Sequence, residues 1–131
     1  MNEVRIDRTN IAVELRNLAR AEKASKMLGA LPRSLYPVIG RVLADISAEA
    51  AIASATDVDR YIELREEKER LLFELRNLLQ FRIPKIHRIS MYSLEEEKGN
   101  LVEREMKLLD SYKGLLSEFS REITEPSEGS Q

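Results

Sequence analysis

At 131 residues, with 34% charged and 5% aromatic side chains and no Trp, the chain is long enough for one domain with a core. Its make-up is that of amphipathic helices, and it excludes a typical sheet protein rich in aromatic and β-branched residues. Twenty-one basic against 23 acidic residues give a net charge of −2, which excludes a general polyanion binder and confines any nucleic-acid contact to a local basic patch.

Cysteine is absent, which removes disulfides, thiolate metal sites and a cysteine nucleophile and fits a cytoplasmic chain. No uncharged run approaches the ~20 residues of a membrane span. MNEVRIDRTN has neither the apolar core nor the cleavage site of a signal peptide.

Apolar periodicity predicts an all-α bundle of about four main helices. The first begins at Thr9 or Asn10, either of which can accept a hydrogen bond from a first-turn N–H, and buries Ile11, Leu15, Leu18 and Ala19. MLGALP ends it, with Gly29 as a C-cap and Pro32 unable to continue the ladder. The second starts around Ser34, with Pro37 in its first turn where a missing N–H costs nothing. Leu35, Ile39, Val42, Leu43, Ile46, Ala50 and Ala53 form its stripe. Thr56 and Asp59 have capping-box spacing ahead of a long third helix. Its run REEKER, Arg65 to Arg70, reads as a solvated face laced with pairs such as Glu66 with Arg70.

From Arg70 to Ser90 the third helix carries the densest signal. Leu72, Leu75, Leu79, Ile83, Ile86 and Ile89 fall at spacings of three and four, one stripe on a helix. Arg76, Arg82, Lys85 and Arg88 lie off that stripe as a basic edge, with His87 beside them. The edge either pairs with glutamates of neighbouring helices or faces a docking partner or DNA. Pro84 removes a donor and clashes with the carbonyl of Gln80, so the helix bends there or a new one begins.

Ser93 and Glu96 repeat the capping-box spacing before the last helix. There Leu101, Leu108, Tyr112, Leu115 and Phe119 make one apolar line, and Val102, Leu109, Leu116 and Ile123 a second beside it, with Glu105 among them. So broad an arc fits a helix lying between its own core and a partner subunit. EPSEGSQ is a polar tail with nothing to bury.

The chemistry-bearing residues are few. One histidine without a Glu-x-x-His motif excludes the di-iron bundle type, and the scattered glycines begin no phosphate loop. Glu66, Glu67 and Glu69 read as surface charge rather than a magnesium site. The expectation is a protein with no catalytic residues, metal or cofactor.

ELRNLARAEKASKMLGALPRSLYPVIGRVLADI, then ELRNLLQFRIPKIHRIS, then SLEEEKGNLVEREMKLLDSYKGLL, in this order, resemble the helical A domain of GINS subunits, particularly the archaeal kind with the A domain first. The resemblance covers roughly residues 10 to 120. It rests on Leu31-Pro32 with Leu35-Tyr36, on Arg82, Lys85 and Ile86 with Ile89, and on Leu94 with Glu95 to Glu97. Pro84, between the arginine and the lysine of that stretch, departs from the pattern.

The resemblance implies an A-like domain over 1–122 and a tail or linker over 123–131, standing where family members carry a β-rich B domain that this chain lacks. It implies a scaffold of the replicative helicase assembly. Such a subunit forms a homotetramer or a heterotetramer with a GINS paralogue, bridges the MCM helicase and a RecJ-like partner, and sits in the cytoplasm at the nucleoid. The expected subunit interface is Leu101, Val102, Glu105, Leu108, Leu109, Tyr112, Leu115, Leu116 and Phe119. The alternatives are a small DNA-binding protein using the basic edge, and an unrelated helical adaptor.

Overall fold

Ile11, Leu15 and Ala19 recur every four residues and are buried on one side of α1, Ile11–Ala24, with half-buried Leu18 beside them. The computed structural model describes residues 5–92 and 94–125. Asn10 precedes α1 but its side chain does not cap it; the Asp7 carboxylate instead accepts the Thr9 and Asn10 N–H groups at 2.9 and 3.2 Å.

Helix α2, Leu35–Thr56, buries Leu35, Ile39, Val42, Ile46 and Ala53 as the spacing predicts, with Leu43 and Ala50 half-buried against the same core. A single residue, Asp57, joins it to α3, Val58–Tyr92. Asp57 is also the cap, accepting the Arg60 N–H at 3.1 Å. The expected box between Thr56 and Asp59 does not form, because the Thr56 hydroxyl donates back to the Ile52 carbonyl at 3.0 Å.

Helix α3 is the axis of the molecule, and α1, α2 and α5 all pack on it. It runs 35 residues without interruption, through Pro84. Gln80 and Pro84 lie on its exposed side, where water can take the carbonyl left by the missing N–H. The buried line is Leu64, Leu71, Glu74, Leu78, Arg82, Ile86 and Ile89. This corrects the predicted stripe: Leu72, Leu75, Leu79 and Ile83 are half-buried at its margin, and Arg82 sits inside it. The REEKER run stays exposed or half-buried, with Arg65–Glu69 at 3.8 Å as its i,i+4 pair.

After α3 come a four-residue helix α4, Glu95–Lys98, and a break at Gly99 to Val102 before α5, Glu103–Thr124. The last helix therefore starts later than expected and continues through Ile123 and Thr124, past the expected domain limit at 122. The cap predicted at Ser93 and the tail over 126–131 lie outside the described residues. The Glu105 carboxylate accepts the Val102 N–H at 3.2 Å, closing the first turn of α5.

The contacts give the helix directions. Arg16 meets Glu74 and Glu22 meets Lys85, so α1 and α3 run parallel. Glu105 meets Arg82 and Tyr112 meets His87, so α5 sets out along α3 in the same direction. Beyond that contact α3 has five residues left and α5 twelve. At 1.5 Å per residue, α5 overruns its support by about 10 Å. Every residue from Ser117 to Glu125 is exposed.

Candidate interaction surface

Two arrangements answer the sequence-predicted sites, one closed and one open. The closed one is centred on Arg82, which the fold buries completely. Its Nε and Nη2 form a fork on the Glu105 carboxylate, both at 2.7 Å. Its Nη1 donates to Glu22 Oε1 and to the Gly29 carbonyl, each at 2.7 Å, and Nη2 also reaches the Asn100 carbonyl at 3.3 Å. These contacts occupy all five donors of the guanidinium.

Lys85 reinforces the cluster. Its Nζ donates to Glu22 Oε2 at 2.7 Å and to the carbonyls of Glu22, Ser25 and Met27 at 2.6, 2.7 and 3.0 Å. The ammonium thus satisfies carbonyls at the C-terminus of α1, where the helix dipole favours a cation. Arg88 Nη2 completes the row on Glu97 Oε1 at 2.7 Å and the Lys26 carbonyl at 3.0 Å. Glu97 in turn accepts the Leu28 N–H at 2.8 Å, and Asn100 donates to the Leu28 carbonyl at 2.8 Å.

The loop over 25–31 is therefore tied on both sides. Gly29 is not the α1 C-cap expected of it; Ser25 is. Its N–H donates to Glu22, and an added Cβ would meet Glu22 Oε1 at 3.2 Å, so the glycine permits a close approach to the carboxylate.

Burial pushes the Glu22 carboxyl toward its neutral form. Hydrogen bonds from Lys85, Gly29 and Arg82 outweigh this and hold it below the ordinary glutamate range. Burial, then the Glu105 charge, raises the Tyr36 phenol, which stays protonated and donates to Glu105 at 2.6 Å. At the far end of α1, Arg8 bridges Glu67 and Glu49, and its hydrogen bond lowers the Glu67 pKa.

A carboxylate lowered in the folded state contributes stability that is complete above its unfolded pKa and lost as pH falls through the folded value. Thermal denaturation from pH 7 to pH 3 is thus expected to show a plateau, then a fall beginning near the ordinary glutamate pKa of 4.5. Glu67→Gln should make that fall shallower. An identical slope in the variant would remove Glu67 from the account.

The basic edge of the sequence is thus an internal staple. Arg82 has no exposed surface and Lys85 spends its donors on Glu22 and the loop after α1, so neither presents a charge to a phosphate. Arg88 is partly exposed but committed to Glu97, and Arg76 alone of the four is fully on the surface. His87 is exposed, its ring edge-on to Tyr112 at 5.3 Å.

The open arrangement is α5. The predicted interface residues divide along it. Glu105 and Leu109 are buried within the chain, the first by the Arg82 fork and the second in a core with Leu28, Ile86 and Ile89. That corrects both as contact residues. Leu101, Val102, Leu108 and Tyr112 are half-buried against the two cores. Leu115 and Phe119 are 63% and 60% exposed, as is Ile123 at 62%, and Leu116 is half-buried.

Beside the proximal half of α5 lies a feature the periodicity did not reveal. An apolar groove of about 370 Å³ opens between α2, α3 and α5, lined by Tyr36, Ile39, Leu75, Leu79, Ile83 and Leu108 among others. Gly40 also lines it, and a Cβ there would meet nothing within 4 Å. A glycine inside a helix costs about 0.5–1 kcal/mol relative to alanine, and no neighbour among the described residues requires it. That unexplained glycine was the one available signal in the sequence.

Among the described residues, no cluster of His, Asp or Glu is placed to hold a metal ion, and no helix is long and apolar enough to cross a membrane. Comparison with protein-family models, with curated proteins and with solved structures finds no match.

Proposed function

We propose that the chain is a non-catalytic scaffold subunit of the GINS type, which assembles with copies or a paralogue through α5 and links the MCM helicase to a RecJ-like partner in DNA replication. The observation that carries the assembly part is the overrun of α5, whose apolar Leu115, Phe119 and Ile123 have nothing among the described residues to cover them. A tied loop and a saturated ion cluster fix where the base of that helix sits in the folded subunit, which suits a protein that transmits position rather than performs chemistry. The GINS assignment itself rests on the order of the motifs, with Arg82, Lys85 and Ile86 as its centre. A cytoplasmic place at the nucleoid goes with this reading.

The test is co-purification of the tagged chain with an MCM protein or a GINS paralogue, for the natural sequence and for Phe119→Glu. The natural chain is expected to retain at least one of them and the variant to lose subunit assembly while keeping its helical signal. A chain that is monomeric and captures neither protein would end the proposal. Leu108 and Tyr112 are poorer probes, since both also pack within the chain.

A further inference from the structure

We infer that α5 pairs antiparallel with the α5 of a second copy, about a twofold axis that crosses its apolar line at the level of residue 113. This rests on the reading of α5 as the assembly surface and names its occupant. Leu108, Tyr112, Leu115 and Phe119 follow one another at steps of four, three and four, a single apolar line through the half-buried and exposed parts of the helix. The charges on its flank decide the partner.

Arg104 and Lys107 border that line in the proximal half, and Glu118 and Glu122 border it in the distal half. From 104 to 122 is five helical turns, so Arg104 and Glu122 share one angular position. Lys107 and Glu118 lie about 20° apart on the same edge. None of the four is ion-paired among the described residues. Glu118 and Glu122 are like charges at i,i+4, which an isolated helix would rather not carry.

In an antiparallel pair the same edges face each other, so the basic half of one helix meets the acidic half of the other. Leu108 then opposes Phe119 of the second copy, Tyr112 opposes Leu115, Arg104 opposes Glu122 and Lys107 opposes Glu118. All four pairs are centred within one residue of position 113. In a parallel pair each edge would face the opposite edge of its partner, and the basic and acidic halves would not meet. The antiparallel arrangement is isologous, so each contact occurs twice and the assembly closes.

The arrangement also fills the groove. The overrunning end of one α5 lies along the proximal half of the other, against Leu108, at the edge of the groove floored by Leu79 and Ile83. The open side of Gly40 leaves room for a backbone or a large side chain to approach there.

Charge reversal tests this with the full chain. Light scattering of the natural protein is expected to give at least twice the chain mass of 15.1 kDa, as a dimer or a dimer of such dimers. Arg104→Glu with Lys107→Glu, or Glu118→Lys with Glu122→Lys, is expected to weaken self-association by more than about tenfold with unchanged helical circular dichroism. Mixing the two variants is expected to restore the dimer, because each then supplies the charge the other lacks. A monomeric natural chain overturns the pairing, and so do reversal variants that still dimerise alone or fail to recover on mixing. If the reversals are silent while Phe119→Glu disperses the protein, this pairing falls and α5 remains the assembly surface.

Discussion

Replacing Arg82 by alanine is expected to destabilise the fold by on the order of 3–5 kcal/mol, the cost of stranding buried carboxylates. The loss follows from what remains. Glu105 would keep only the Tyr36 hydroxyl and the Val102 N–H, and Glu22 would lean on Lys85 and the Gly29 N–H alone. The carbonyl of Gly29 would lose a donor at the same time. Urea unfolding measures the effect, and a fall in Tm of about 10–20 °C is the thermal counterpart. Arg82→Met combined with Glu105→Gln removes a charge from each side and is expected to recover part of the loss. A change under about 1 kcal/mol for Arg82→Ala would mean that the guanidinium is solvated as a surface charge is.

The second large effect lies four residues earlier. Leu78→Ala is expected to cost about 2–5 kcal/mol, because Leu78 is fully buried in the core shared with α1 and α2 and its removal leaves a cavity. Leu79→Ala, one residue on, faces the groove and is expected to cost less than half as much. The pair of measurements reads the rotation of α3 directly. Equal losses would put the core on the line through Leu72, Leu75, Leu79 and Ile83.

That line is where hydrophobicity alone places the core, and the reason it misleads is physical. The stripes of α1 and α2 were legible because every buried position on them except Glu22 is apolar. On α3 the true line contains Glu74 and Arg82, whose partners Arg16 and Glu22 are 58 and 60 residues away in the chain. A local pattern cannot register a charge that is neutralised from so far off, so it puts the centre on the apolar margin. The late start of α5 escaped for a similar reason, since the turn of Glu105 back onto Val102 and the tie from Asn100 to Leu28 depend on the tertiary fold. Of the candidate interface, the exposed distal residues Leu115 and Phe119 were readable from spacing, whereas the burial of Glu105 and Leu109 required the position of α3.

The single long helix has a consequence for how the molecule comes apart. One core joins α1, α2 and α3 up to Leu78, and a second joins Leu28, Ile86, Ile89 and Leu109. They are strung along one rod, with Pro84 between them and the Arg82 cluster as the tie. The second is small, so opening of the α5 end while the α1–α2 end stays folded is the cheapest excursion the chain can make. Amide exchange would then fall into two classes that meet near Pro84. Whatever clamps α5 would slow exchange in one class and leave the other unchanged, so assembly itself becomes the main determinant of how firmly that end is held.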